Sequence, residues 1–120
     1  MAQILLVDDD AELLELAAVF LRGAEHAVTM AADGKEAIRL FEDNAFDLVI
    51  TDIVMPEKEG LETIRELRRK NPAVKIIAMS GYVAPEDYLV IARTFGAAQT
   101  LTKPFSGEEL LAVVSSVLSE

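Results

Sequence analysis

The sequence has no cysteine and a single histidine, His26. Disulfides, a thiolate metal site, a thiol nucleophile and a multi-histidine metal centre are therefore excluded. Positive charge is also scarce, with 11 bases against 21 acids and a net charge of −10. A field of that sign repels phosphate backbones, so direct binding to nucleic acid is disfavoured. No apolar run approaches the ~20 residues of a membrane span, so no membrane partner is expected. The N-terminus lacks the basic, apolar and small-residue pattern of an export signal. Together these absences lead us to expect a cytoplasmic protein. Internal repeats, linkers and low-complexity segments are missing as well. What remains is a 120-residue chain that is 52% hydrophobic, enough for one domain over residues 1–120 with a core on two sides.

Strand-like and helix-like patterns alternate five times. The stretch Phe46 to Gly60 is central. Its first half, Leu48-Val49-Ile50-Thr51, is a short apolar run with β-branched residues, which suits a strand buried on both faces of a parallel sheet. Similar runs lie at about Gln3 to Val7 and Val74 to Met79, with less apolar ones at His26 to Met30 and Ala97 to Thr102. Asp10 is placed to cap a first helix that Gly23 ends, and Asp33 with Glu36 has capping-box spacing before a second. A third helix follows Pro56 and closes on Arg68-Arg69-Lys70, bases that complement a negative helix end. A fourth starts near Pro85, where Ala84 makes a weak cap, and Gly96 ends it. Ser106 with Glu109 forms a standard capping box for the last helix. This alternation predicts an α/β fold, a doubly wound parallel five-stranded sheet of (βα)5 type. With the less apolar strands at the edges and right-handed crossovers, the order is 2-1-3-4-5, and the binding crevice falls where the chain reverses between strands one and three.

Polar residues follow the strands in a definite order. Asp8-Asp9-Asp10 follows the first, Asp52 the third, Ser80-Gly81 the fourth and Lys103-Pro104 the fifth. Adjacent strands lie about 4.8 Å apart, so Asp9 and Asp52 come close, with Asp8 beside them. Repulsion among three acids raises at least one pKa. A divalent cation relieves it, and oxygen-only ligands leave Mg²⁺, Mn²⁺ or Ca²⁺, with two carboxylates plus water typical of Mg²⁺. A metal, an amine and a hydroxyl around one carboxylate suit stabilisation of a phosphoryl group, the carboxylate being the nucleophile of an acyl phosphate.

Taken singly, these residues have plainer readings as helix caps, turns and a solvated basic helix end. In conjunction, Val7-Asp8-Asp9, Asp52-Ile53-Val54-Met55-Pro56 with Gly60, Met79-Ser80-Gly81, Gly96-Ala97 and Lys103-Pro104-Phe105 resemble the receiver domains of two-component response regulators, of the single-domain chemotaxis type. The resemblance covers essentially the whole chain and implies a flavodoxin-like fold. It implies that Asp52 accepts a phosphoryl group from a histidine kinase or a histidine phosphotransfer protein. Mg²⁺ would be held by Asp9, Asp52 and the backbone carbonyl of Val54, with Asp8 acting through water. Ser80 and Lys103 would contact phosphoryl oxygens, and the Lys103-Pro104 bond would be cis. By the same implication the chain is a phosphoacceptor that promotes its own phosphorylation and dephosphorylation rather than an enzyme. Its output would pass to a downstream protein partner or effector domain through the helix after the fourth strand, the fifth strand and the last helix. One position departs from the family: a Tyr or Phe usual three residues before the lysine is Thr100 here.

Other classes fit less well. An aspartate-nucleophile phosphatase of the haloacid-dehalogenase type needs a second acid two residues after the nucleophile, where this chain has Val54. A flavodoxin-like nucleotide or flavin binder needs a phosphate loop after the first strand, where this chain has acids. A receiver serving only as a docking scaffold would not need every phosphoryl-site residue.

Overall fold

The computed structural model describes residues 1–53, 59–81, 90, 93, 94 and 96–119. Five strands, β1 (Gln3–Val7), β2 (Ala27–Ala31), β3 (Leu48–Asp52), β4 (Lys75–Ser80) and β5 (Gln99–Thr102), form one sheet in the order β2-β1-β3-β4-β5. All four pairings are parallel. The predicted order holds, and so does its reason. Every residue of β3 is buried, whereas β2 and β5 each keep exposed positions and lie at the edges.

Side chains alternate across the strands and build two cores. Leu48 and Ile50 join Ile4, Leu6, Ile77 and Met79 beneath α1 (Ala11–Gly23) and the C-terminal helix (Gly107–Leu118). Val49 joins Leu5, Val7, Ile76 and Ala78 beneath α2 (Gly34–Asp43) and α3 (Glu59–Lys70). A sheet covered on both faces leaves its strand ends as the place where polar groups meet solvent.

The predicted caps form, with two differences. Asp10 accepts from the backbone N–H groups of Glu12 and Leu13 at 3.1 and 3.3 Å, and the Ser106–Glu109 box closes in both directions. In the Asp33–Glu36 pair only one arm is made as expected. Asp33 accepts from Glu36 N–H at 2.8 Å, but the Glu36 carboxylate takes the Ala32 N–H, one residue earlier. Gly23 is the last residue of α1, yet the left-handed position beyond it belongs to Glu25, at φ 68. The predicted helix near Pro85 falls mostly outside the described residues; Val90, Arg93 and Thr94 are helical.

Gly96 does take a left-handed conformation, at φ +123, and a Cβ there would lie 2.9 Å from Arg68 Cγ. Arg68 cannot yield freely, because its Nη1 donates to the Val74 carbonyl at 2.7 Å, tying the end of α3 to the start of β4. Gly96→Ala is expected to lower stability by about 1–3 kcal/mol. Gly23→Ala, where a Cβ meets nothing within 4 Å, should leave stability unchanged or slightly raised. Urea midpoints of the two variants test this, and equal midpoints would contradict it.

Candidate functional site

Strand register brings the polar ends together. Val7 lies opposite Thr51, so Asp8 arrives level with Asp52 on the neighbouring strand. Asp52 in turn lies opposite Met79, and Ser80 opposite Thr102, which places Lys103 just past the rim. Backbone bonds carry the ladder one step beyond the strands: Asp8 N–H to the Ala31 carbonyl at 3.1 Å, Ile53 N–H to Met79 at 3.0 Å and Lys103 N–H to Ser80 at 2.7 Å. The candidate side chains therefore stand on hydrogen-bonded backbone.

Lys103 bridges two acids. Its Nζ donates to Asp8 Oδ2 at 2.6 Å and to Asp52 Oδ2 at 3.0 Å. Asp8 and Ser80 are fully buried and Asp52 nearly so, while Asp9 is exposed. Carboxylate oxygens of Asp8, Asp9 and Asp52 all lie within 4.8 Å of one another. The other Asp8 oxygen, Oδ1, accepts from Asp10 N–H at 2.9 Å, so the first acid of the triplet positions the backbone of the third. The Ser80 hydroxyl donates to the Gly81 carbonyl at 3.3 Å.

The acid cluster does raise a pKa, as the sequence suggests, but repulsion is the smaller reason. Burial pushes the Asp8 carboxyl above its ordinary value of 3.8, outweighing the bonds from Lys103 and Asp10; the charge of Asp52 adds to the rise. For Lys103, burial alone would lower the pKa. Hydrogen bonds to Asp8 and Asp52 and the charges of both acids overcome it, and the amine stays above its usual 10.5.

The structure thus gathers Asp8, Asp9, Asp52, Ser80 and Lys103 at one rim, and the Lys103-Pro104 bond is cis. Val54 lies outside the described residues. Thr100, in place of an aromatic ring, is half-buried on β5 opposite Ala78. No helix among the described residues is long and apolar enough to cross a membrane.

The family pattern described as "Response regulator receiver domain" matches residues 4–115. The chain belongs to this family. The receiver domain is 33% identical over 116 residues to the transcriptional regulatory protein ZraR of Escherichia coli K12, covering 97% of this chain and 26% of ZraR. It is 37% identical over 120 residues to CpxR of Klebsiella pneumoniae, covering 98% of this chain and 50% of CpxR. The chain therefore spans between about a quarter and a half of these relatives' length. Among solved structures, chemotaxis protein CheY4 of Vibrio cholerae matches at TM-score 0.89 and 31% identity, covering 98% of each chain. NtrX of Brucella abortus matches at TM-score 0.93 and 29% identity, covering 98% of this chain and 27% of NtrX.

Two features of this receiver domain escaped sequence reasoning. One is the Lys103–Asp8 contact, since residues 95 positions apart show no pairing in the sequence. The other is a groove of about 260 Å³ between α1 and the C-terminal helix, lined by Leu13, Leu16, Phe20, Pro104 and Phe105 among others. Leu16 and Val19 are 61% and 65% exposed and Phe20 is 40% exposed. A signal existed: α1 carries more apolar residues than one buried stripe requires.

The raised Asp8 pKa has a consequence for stability. A carboxyl whose folded pKa exceeds its unfolded value favours folding when protonated, so stability falls as pH rises from 3.8 through the folded pKa. Without divalent ions the penalty grows as pH rises above 3.8 and is complete only above the folded pKa. Asp8→Asn removes it and should melt at higher temperature than the unmodified protein in EDTA at pH 7. The advantage should shrink as pH falls toward 3.8. A variant that melts lower at pH 7, or an advantage independent of pH, would show that the ionised Asp8–Lys103 pair stabilises the fold.

Proposed function

We propose that residues 1–120 form one receiver domain in which Asp52 accepts a phosphoryl group from a phosphohistidine, carried by a histidine kinase or a histidine phosphotransfer protein. The observation that carries this reading is the Lys103 amine in contact with both Asp8 and Asp52 at the rim of the sheet. An Asp52 carboxylate oxygen forms the new bond to phosphorus as the bond from phosphorus to the donor imidazole nitrogen breaks. The imidazole keeps the electron pair and takes a proton. Lys103 and Ser80 would contact oxygens of the transferred group, the amine by charge and the hydroxyl by donation.

The donor set fits a hard divalent ion. Three carboxylates within 4.8 Å of one another, with no histidine or thiolate among them, suit Mg²⁺. Asp9, Asp52 and the Val54 carbonyl would hold it, with Asp8 acting through water. When bound, Mg²⁺ supplies positive charge against the developing charge of the phosphoryl oxygens. The chain works as a signalling phosphoacceptor that promotes its own phosphorylation and dephosphorylation, not as an enzyme with a separate substrate. It operates in the cytoplasm and, at net charge −10, without direct nucleic-acid contact. Output runs to a protein partner or effector domain through the region after Ser80, β5 and the C-terminal helix.

A donor protein must bring its histidine to the rim, and the exposed apolar residues of α1 flank that approach. Asp10 and Pro104, which line the groove, are sequence neighbours of Asp9 and Lys103. An amphipathic helix of the donor fits such a groove.

Two measurements test the reading. With Mg²⁺ and acetyl phosphate, the intact protein should gain one phosphoryl mass and Asp52→Asn should gain none; equal labelling of both would overturn the assignment. Leu16→Glu and Val19→Glu should keep labelling by acetyl phosphate while slowing transfer from a phosphorylated histidine phosphotransfer protein about tenfold or more. Equal slowing with both donors would point to damage of the site rather than of docking.

A further inference from the structure

One face of the molecule combines exposed apolar side chains with unbalanced charge. Leu16, Val19 and Phe20 follow one another at helical spacing on α1 and are all exposed. The apolar groove of about 260 Å³ opens beside them toward the C-terminal helix. The flanks of this groove are acidic. Glu12 lines it and Glu15 follows one helical turn on, while Glu108 and Glu109 open the C-terminal helix. Against these acids the two helices carry Arg22 alone, at the far end of α1. Acids and bases balance along α2 and α3, on the opposite side of the sheet, so the imbalance belongs to the grooved face. Part of it serves the helices themselves: Glu109 closes the box with Ser106, and acids in a first turn suit the helix dipole. Glu15 lies beyond the first turn, and among the described residues no base pairs with Glu12, Glu15 or Glu108.

We infer that this face takes an amphipathic helix with lysine or arginine on its flanks, its apolar stripe in the groove and its bases over Glu12, Glu15 and Glu108. This rests on the donor-docking reading above and gives the donor's helix its charge. Opposite charges across an interface speed encounter and reject partners of the wrong sign. They have a second use here. A phosphorylated histidine carries negative charge toward a rim where Asp9 is exposed, on a chain of net charge −10. Bases on the docking helix offset that repulsion. The charges also set a direction: Asp10 and Glu12 line the groove near the rim and Arg22 closes the far end of α1, so the donor's bases lie toward its histidine. Other occupants are opposed by the same acids. A second copy docked through this face would set glutamates against glutamates, and an anionic membrane surface would be repelled.

Two synthetic helical peptides test the inference, alike in their leucine stripe and flanked by lysine in one and glutamate in the other. At low salt the lysine peptide should bind the unmodified protein about tenfold or more tighter. It should move the amide resonances of α1 and of residues 105–110, and its advantage should shrink as salt is raised. Neutralising the flank with Glu12→Gln and Glu15→Gln should cut the advantage about fivefold or more. The same charge change on α3, Glu62→Gln with Glu66→Gln, should leave it nearly intact. Equal binding of the two peptides, tighter binding of the glutamate peptide, or no movement of the groove resonances with either overturns the inference. So does an advantage that the α3 pair reduces as much as the α1 pair, which would reflect net charge alone. Groove resonances that move with protein concentration before peptide is added would place a second copy there and overturn it as well. The docking reading fails separately, if Leu16→Glu leaves transfer from a phosphorylated histidine phosphotransfer protein at the unmodified rate.

Discussion

One ammonium group held between two carboxylates is the interaction on which the rim of this protein depends. A parallel sheet sends all its strands out at the same edge, so the residues at or just beyond the ends of β1, β3, β4 and β5 have to coexist in a few ångströms. Here that means three acids, a hydroxyl and one amine. Lys103 Nζ, at 2.6 Å from Asp8 and 3.0 Å from Asp52, is what allows two buried carboxylates to share that edge. Removing Lys103 would leave both buried carboxylates without their cation, at a cost of about 3–5 kcal/mol. The arrangement is tolerable to the fold and still charged enough for chemistry.

That balance is uneven across the cluster. Asp8 bears most of the desolvation, and its carboxyl is pushed toward the neutral form despite two hydrogen bonds. Asp9, one residue on, is exposed. Consecutive residues leaving a strand point to opposite sides, which accounts for two neighbouring acids having such different surroundings. A site that holds unfavourable charge in the resting state has a reserve of binding energy for whatever neutralises it. The surrounding core is enclosed: all of β3 and five of the six residues of β4 are buried, so Asp52 and Ser80 end strands that are packed on both faces.

The sequence was most legible where burial speaks through pattern. Leu48-Val49-Ile50 reads as a doubly buried strand and is one. The weaker hydrophobicity of β2 and β5 puts them at the edges, and the meeting of Asp8, Asp52, Ser80 and Lys103 at one rim follows from the strands they end. Caps were legible where the chemistry is local, as at Asp10 and Ser106. They were less so where two neighbouring backbone N–H groups compete for one side chain: Glu36 reaches Ala32 rather than Asp33. The left-handed turn after α1 fell to Glu25 although Gly23 lies two residues before it, because the chain needs that conformation only after the Ala24 cap. Long-range choices were the least legible. Whether Lys103 would settle on Asp8, on Asp52 or on both depends on distances between strand ends, which no periodicity encodes. The apolar groove beside α1 depends likewise on how Phe20 meets Gly107 across the helix pair, where a Cβ at residue 107 would overlap the ring.

The central claim is that Asp52, and neither of its acidic neighbours, forms the bond to phosphorus. Borohydride reduction of the phosphorylated protein converts an aspartyl phosphate to homoserine, which peptide mass spectrometry locates. The account predicts homoserine at position 52 alone. Homoserine at position 8 or 9, with position 52 unchanged, would contradict it.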